Sequence, residues 1–265
     1  MLVCFVASNR LAPRRDTDAL MNKEPSFGYW ERYLYLIALG PILWLQGKYV
    51  RRVTPKLPDA AGPREGASGH GPLLRLLIAG DSAAAGVGAA SQDEALCGQL
   101  VQRLSQRCTV HWQLKAVTGL DSPGLEAMLT SLDAQPIDVV VLSIGVNDVT
   151  NLIAPTRWVQ WQERLVTLIR SQHQPKLIVH SAVPPMHGFT ALPQPLRWFM
   201  GRWALEMNLR LSKSIRDDDR RFFQWPIPAD VSVGLATDGF HPGPLGYEAW
   251  AHGLNDLIVG GDLEP

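Results

Sequence analysis

Cysteine is scarce in this sequence, and neither sign of charge is in excess. The 265 residues include three cysteines (Cys4, Cys97 and Cys108), and none of them forms a Cys-x-x-Cys pair. Because an odd number without paired spacing argues against a disulfide framework, we expect a reducing, cytoplasmic compartment. Lysine plus arginine and aspartate plus glutamate number 25 each, so no basic field indicates a nucleic-acid partner.

Sequence motifs for cofactors and metals are also missing. The stretch GVGAAS after Gly80-Asp81-Ser82 lacks the G-x-G-x-x-G spacing of a dinucleotide site, and no Gly-Lys-Ser/Thr follows as in a phosphate loop. His180 and His187 flank the end of a predicted strand, where histidines are more often core or loop residues than metal ligands. We therefore expect neither a cofactor nor a metal.

An uncharged apolar run occurs at Tyr33–Gly47. As a helix it would extend about 22 Å, less than the roughly 30 Å of a bilayer core, and Pro41 would kink it. It therefore predicts a short membrane anchor, an interfacial helix or a helix packed on the domain. Counted from Met21, fewer bases precede it than follow it, an order that would keep the next domain at the inner, cytoplasmic face of a membrane. These bases are Lys23 and Arg32 before the run, and Lys48, Arg51, Arg52 and Lys56 after it.

Composition divides the chain into four parts. Residues 1–20 have no clear pattern and are interpreted as a disordered extension or as sequence ahead of a true start at Met21. Residues 21–53 hold the apolar segment, and residues 54–72 are rich in proline, glycine and alanine, which is typical of a linker or an extended strap. A regular pattern begins at residue 73, so we assign the main domain to residues 73–265.

From residue 73 onward, strand-like and helix-like segments alternate five times. The central strands, such as IDVVVLSI, are continuous apolar runs, which is typical of strands covered on both faces. This alternation predicts a doubly wound α/β fold with a central, mostly parallel, five-stranded sheet. Strands are expected at Leu73–Ala79, Thr109–Val117, Ile137–Ile144, Lys176–Val183 and Arg221–Pro226, and helices at Gln92–Gln106, Leu125–Leu132, Thr156–Gln172, Leu196–Ile215 and Pro244–Ile258.

Polar and small residues collect where these strands end. Ser82 follows the first strand, Gly119 the second and Asn147 the third, while Asp238 and His241 follow the fifth. Ligands of open parallel sheets bind outside the carboxyl ends of the strands. We therefore expect these five residues at one rim of the sheet.

The residue types at this rim suit acyl transfer to a nucleophilic serine. A serine hydroxyl needs a base to remove its proton, and His241 is the candidate base. Asp238, three residues earlier, is placed to hold the imidazole in the right tautomer. The tetrahedral intermediate carries an oxyanion, for which the backbone N–H groups of Ser82 and Gly119 and the side-chain amide of Asn147 are candidate donors.

These blocks resemble those of the SGNH (GDSL-type) hydrolase superfamily. Gly80-Asp81-Ser82, Gly119, Gly145-Val146-Asn147-Asp148 and Asp238-Gly239-Phe240-His241 occur in the family's order, although Ala83 stands where the family name implies leucine. The resemblance covers the chain from residue 73 and implies a flavodoxin-like three-layer α/β/α sandwich that hydrolyses esters and thioesters without a metal. It also implies the triad and oxyanion-hole roles given above.

We interpret the chain as a serine esterase that hydrolyses carboxylic acyl esters through an acyl-enzyme intermediate. Its partner would be a small-molecule or lipid acyl ester, with lipase-, lysophospholipase- and thioesterase-like substrates and the oligomeric state left open. The alternative is a non-catalytic, flavodoxin-like binding or signalling module. A receiver-like module would need a cluster of acids after the first strand, whereas Asp81 has no acidic neighbour.

The stretch Pro184–Trp203, which leaves the sheet on the same rim, has two interpretations. In the first, Met186, Phe189 and Leu192 line an acyl pocket or form a membrane-facing lip. In the second, the stretch leads into a helix whose aromatic residues (Trp198, Phe199 and Trp203) fill the core.

Overall fold

A six-stranded sheet lies at the centre of the computed structural model, which describes residues 29–224 and 234–260. The predicted extension at residues 1–20 lies outside the described residues. The strands are β1 (Glu65–Ser68), β2 (Leu73–Gly80), β3 (Thr109–Ala116), β4 (Val139–Ser143), β5 (Leu177–Ser181) and β6 (Arg221–Gln224). Their order is β1-β3-β2-β4-β5-β6, with β1 antiparallel to β3 and the other neighbouring pairs parallel.

The helices pack around this sheet and follow the predicted alternation from residue 73 onward. Two short elements, a helix at Val146–Thr150 and a 3₁₀ turn at Met186–Gly188, were not predicted, because neither is long enough to show a helical period of apolar residues. The α-helices are α1 (Tyr29–Val53), α2 (Leu96–Leu104), α3 (Ser122–Thr130), α4 (Val146–Thr150), α5 (Pro155–His173), α6 (Leu196–Ser214) and α7 (Pro244–Gly260).

Successive side chains of β2 pack alternately against helices on the two faces of the sheet, which gives the fold three layers. Leu76 and Ile78 belong to a hydrophobic cluster shared with α2 and α7, whereas Leu77 and Ala79 belong to a second cluster shared with α3 and α5. Successive side chains of a strand face opposite sides of a sheet, so an unbroken apolar run is what two covered faces require. The predicted three-layer α/β/α sandwich is confirmed, with six strands instead of five.

The sixth strand comes from the segment that was interpreted as a linker or an extended strap. Residues 54–72 form an extended strap along the sheet edge, and β1 within it pairs with β3 in the register Gly66 to Trp112. A Cβ atom at Gly66 would collide with the Trp112 ring, so glycine allows this close approach. The extended strap was one of the two predicted arrangements, but strand β1 was not predicted, because the proline and glycine content resembles a loop and the strand has four residues.

Polar contacts hold the strap to the domain before β1 begins. The Arg64 guanidinium donates to the Ala116 carbonyl over 2.6 Å, and Asp59 accepts a hydrogen bond from the Thr118 hydroxyl over 2.7 Å. The buried Gln92 amide donates to the Ala60 carbonyl over 3.2 Å. The strap is therefore an integral part of the fold.

Helix α1 contains the predicted apolar segment and packs on α6. Leu43 and Val50 are buried in a hydrophobic cluster with residues of α6, and the Tyr35 and Trp198 rings meet edge to face at 5.0 Å. The Gln46 side chain donates to the Gln194 carbonyl over 2.7 Å and accepts the backbone N–H of Leu196 over 3.1 Å. Of the three predicted arrangements, the structure shows a packed helix. Among the described residues, no helix combines the length and the apolar character that crossing a membrane requires.

Replacing Gln92 tests how much the strap contributes to stability. The Gln92 amide donates to both Ala60 and Ala85, so Gln92→Ala leaves two buried carbonyl groups without this donor. We expect the free energy of unfolding to fall by about 1–3 kcal/mol, measured by urea denaturation. Gln102→Ala, an exposed position on α2, is the matched control and should change it little. An equal effect at both positions would contradict a structural role for the strap.

Candidate active site

The strand ends converge at one rim, as the sequence predicted. The backbone N–H of Asp81, directly after β2, donates to the Ser143 carbonyl at the end of β4 over 3.1 Å. A Cβ atom on Gly80 would collide with the same carbonyl, so glycine permits the contact between the two strands. Ser82 therefore begins its turn at a point held by both central strands.

Ser82, His241 and Asp238 form one chain of hydrogen bonds. The His241 Nε2 atom lies 2.9 Å from the Ser82 Oγ atom, and the Nδ1 atom lies 2.6 Å from Asp238 Oδ2. A neutral imidazole that donates its Nδ1–H to the carboxylate leaves Nε2 free to accept the serine proton. The structure thus brings together the three residues predicted as nucleophile, base and orienting acid.

The loop that carries Asp238 and His241 is shaped around the carboxylate. Asp238 Oδ1 accepts the backbone N–H groups of Phe240 and His241, each over 3.0 Å. Gly239, between them, has φ +64°, and a Cβ atom there would collide with Thr190. Asp238 and His241 are separated by two residues, one of them a glycine, and this short loop is enough to place both side chains in line with Ser82.

The ionisation of Asp238 follows from the same contacts. Burial alone would raise the pKa of its carboxyl, but the hydrogen bonds from His241 and Phe240 outweigh burial and hold the pKa below its usual range. The group is thus ionised at neutral pH.

Small residues after Ser82 allow close packing on three sides. Ala84 and Ala85 are fully buried. Gly86 has φ +86°, and a Cβ atom there would collide with Ala60 of the strap and with Ala95. Gly88 has φ +102°, and a Cβ atom there would collide with the carbonyl of Pro242, the residue after His241. Residues 82–88 form the serine loop, and residues 238–242 form the histidine loop. Because its side chains are small, the serine loop can contact both the strap and the histidine loop.

Asn147 and Gly119 lie on adjoining loops. The Asn147 Nδ2 atom donates one hydrogen to the Leu120 carbonyl over 2.8 Å, which anchors the loop that holds Gly119. The same nitrogen carries a second hydrogen for another acceptor. Gly119 has φ +86°, is exposed, and has no atom within 4 Å of the place where a Cβ would lie.

Two further carboxyls lie buried beside the triad. Burial raises the pKa of Asp81 to about 7, although the Ala83 N–H and the nearby His241 act to lower it. Burial likewise raises the pKa of Asp148 to about 6, despite hydrogen bonds from the Ser122 hydroxyl and backbone. The contacts of Asp148 with the Ser122 hydroxyl and backbone N–H brace its loop.

A cavity of about 270 Å³ opens beside Ser82 and His241. Its walls are mostly apolar and come from the ends of β4 and β5, from the histidine loop and from α7. Of the three residues predicted to line an acyl pocket, Phe189 lies in the wall, whereas Met186 and Leu192 do not line the cavity and are buried in the cluster around α6. Sequence analysis missed the walls from α7 because nothing in a helical pattern indicates which residues face a neighbouring cavity. Wall residues include Ile144, Val183, Pro184, Phe240, Ala249 and Trp250.

His180 is buried and its ring is bonded within the domain. Burial, and next the Arg221 guanidinium, lower the pKa of His180 to about 3, so the ring is neutral. Its Nε2 atom accepts from Arg221 over 3.2 Å, and Arg221 pairs with Glu163 over 2.7 Å. In residues 29–224 and 234–260, no group of three histidine, cysteine or acidic side chains has the arrangement of a metal site.

Comparison with known proteins agrees with this fold. The GDSL-like lipase/acylhydrolase family matches residues 78–249. A GDSL-like esterase of Mycobacterium tuberculosis is 31% identical over 205 residues, which is 70% of this chain and 62% of that relative. The chain thus spans less than two thirds of the relative's length.

Solved structures share the fold at low sequence identity. A lipolytic G-D-S-L family protein from Veillonella parvula superposes with a TM-score of 0.54 at 13% identity, covering 72% of this chain and all of the other. The aryl esterase of M. smegmatis superposes with a TM-score of 0.53 at 17% sequence identity, covering 71% of this chain and 99% of the esterase. The acetylxylan esterase Axe2 of Geobacillus stearothermophilus superposes with a TM-score of 0.51 at 17% identity, covering 72% of this chain and 95% of Axe2.

The raised pKa of Asp81 predicts an unusual pH dependence of stability. The folded chain holds a proton on this group up to about pH 7, whereas the unfolded chain releases it near the ordinary value of 3.8. The contribution of Asp81 to stability is therefore lost as pH rises from about 4 to about 7. Urea midpoints of the wild type and Asp81→Asn, compared at pH 5 and pH 8, should show a larger loss with pH in the wild type. Parallel pH profiles would contradict this assignment.

Proposed function

This chain belongs to the GDSL-like lipase/acylhydrolase family, and we propose that it is a serine hydrolase of carboxylic esters that acts through an acyl-enzyme intermediate on Ser82. The observation that carries the proposal is the hydrogen-bonded series from Ser82 through His241 to Asp238. Esterase activity is named for the similar proteins from M. tuberculosis, M. smegmatis and G. stearothermophilus. The alternative, a non-catalytic binding module, gives no reason for a base within 2.9 Å of the serine hydroxyl.

In the acylation step, His241 accepts the Ser82 proton while the oxygen attacks the ester carbonyl carbon. The carbonyl electron pair becomes the oxyanion of a tetrahedral intermediate. When the intermediate collapses, the bond to the alcohol breaks and the alcohol leaves with the proton from His241. The ionised Asp238 stabilises the imidazolium that exists between these two proton transfers.

In the deacylation step, water replaces the alcohol. His241 takes a proton from water as the water oxygen adds to the acyl carbonyl carbon, and a second tetrahedral intermediate forms. When this intermediate collapses, its bond to Ser82 Oγ breaks, the imidazolium of His241 gives its proton to Ser82, and the acid is released. The oxyanion of both steps needs preorganised donors. We assign them to the backbone N–H groups of Ser82 and Gly119 and to the Asn147 amide hydrogen that does not bind Leu120.

The cavity beside Ser82 is proposed as the site for the acyl group. Its walls of Ile144, Val183, Phe189 and Trp250 offer an acyl chain apolar contact and few polar partners. Its volume of about 270 Å³ is at the lower limit of ordinary ligand sites, which favours short to medium acyl chains over long ones. An oxygen or a sulfur leaving group suits the same steps. The cytoplasmic location inferred from the cysteine content stays a prediction.

Removal of the Ser82 hydroxyl should abolish the chemistry while the fold remains. For Ser82→Ala we expect nitrophenyl ester hydrolysis to fall by at least about 10³-fold and labelling by a fluorophosphonate probe to disappear. Ser131→Ala, an exposed serine at the end of α3, is the control and should keep both. Near-normal turnover of purified, folded Ser82→Ala would disprove the proposal.

Narrowing the cavity should change acyl preference. Ala249 of α7 lines the cavity, so Ala249→Phe should lower kcat/KM for octanoyl and longer nitrophenyl esters by about tenfold or more. The kcat/KM for the acetyl ester should change only severalfold. His252→Phe, at an exposed position on the same helix, is the control and should leave kcat/KM unchanged for the acetyl and the octanoyl esters. An equal loss for all chain lengths in Ala249→Phe would place the acyl group elsewhere.

A further inference from the structure

Helix α1 is apolar on the side that faces away from the domain. Five large side chains on this side are exposed: Leu34 (65%), Ile37 (80%), Trp44 (60%), Leu45 (59%) and Tyr49 (62%). We call these five residues the outer face of α1. Since solvent-exposed helices usually present polar residues outward, an apolar outer face indicates a surface that something covers.

The outer face is a single stripe along the helix. At 100° per residue, its five residues fall within an arc of about 140°. Leu43, Gln46 and Val50, which pack on the domain, lie on the opposite side. The stripe is therefore not available to the core, and the packed side of α1 does not explain its composition.

Positive charge predominates around the outer face. Glu31, in the first turn of α1, shares the stripe by helical position, and residues 33–57 include no aspartate or glutamate. Four basic residues near the C-terminal end of α1 are exposed, namely Lys48, Arg51, Arg52 and Lys56. The Lys48 ammonium lies 3.7 Å from the Trp44 ring centre, so cation and aromatic ring share one surface. By helical position, Lys48 and Arg52 belong to the same stripe as the five apolar residues.

We propose that the outer face of α1 lies in the plane of an anionic lipid surface, with its apolar side chains in the headgroup region and its cations on lipid phosphates. Tryptophan and tyrosine favour this depth, and each cation near an anionic surface adds to binding. A second copy of this chain fits less well. It would bring Lys48, Arg52 and one carboxylate, that of Glu31, from each copy, so at least two of the four cations would enter the contact without partners.

The proposal places the catalytic rim at a defined position relative to the lipid. Gln46 binds Gln194 and Leu196, in the segment that also carries Phe189 of the cavity wall. The same segment is joined to the histidine loop, because the Ala191 N–H donates to the Gly239 carbonyl over 3.1 Å. This docking does not depend on ester hydrolysis and is tested separately from it.

The test is binding of the full chain to vesicles. We expect cosedimentation with phosphatidylcholine vesicles that contain phosphatidylglycerol, and weaker cosedimentation with phosphatidylcholine alone. The double variant Ile37→Glu with Leu45→Glu should lose binding to both and keep nitrophenyl acetate hydrolysis. Leu73→Glu, at an exposed leucine at the start of β2, is the matched control and should bind as the wild type does.

A charge variant separates the electrostatic contribution. Lys48→Gln with Arg52→Gln should weaken binding to anionic vesicles by roughly fivefold for each cation, and added salt should reduce wild-type binding in the same way. The proposal is overturned if the wild type binds no vesicle or if Leu73→Glu loses binding equally. It is also overturned if Ile37→Glu with Leu45→Glu converts a dimer to a monomer in analytical ultracentrifugation without changing vesicle binding.

Discussion

The Asp238 carboxylate is the group on which the site depends most. It accepts two backbone N–H groups of its own loop and lies 2.6 Å from the His241 ring. One buried anion thus determines the loop conformation, the ring orientation and the ring tautomer together. Because its hydrogen bonds outweigh the cost of burial, it remains ionised where a lone buried carboxyl would not. The serine needs only to lie within reach of a ring that is already oriented.

Asp81 and Asp148 show the opposite balance. Asp81 precedes Ser82 and Asp148 follows Asn147, and the pKa of each carboxyl is raised. At both residues burial raises the pKa by more than the hydrogen bonds lower it. These carboxyls stabilise loop geometry through backbone contacts while their charged forms cost stability. The neighbourhood of Ser82 therefore combines one well-compensated anion with two poorly compensated acids, a contrast typical of sites where stability is exchanged for function.

Sequence alone predicted the sheet and the arrangement of polar residues well, since both depend on local signals. Apolar runs such as that of β4 identify buried strands, and residues after strand ends share a rim in any parallel sheet. Long-range packing was less accessible. Nothing in residues 54–72 indicates that Gly66 lies against Trp112, and an apolar stretch at Met186 and Leu192 suits a pocket as well as a core. The packed side of α1 could not be predicted either, because large apolar residues occur on every side of the helix.

The sequence separation within the triad has a consequence during synthesis. Ser82 and His241 meet across 159 positions, and α7, which follows the histidine loop, packs on α2 near the serine loop. A ribosome-bound chain that ends at residue 230 contains the candidate nucleophile and the six described strands but lacks His241. Such a nascent chain cannot form the hydrogen bond between Ser82 and His241, so the proposed hydrolysis has to await synthesis of the loop that carries His241. Under the proposed function, the first ester cleavage by a nascent chain would mark the point at which translation passes that loop.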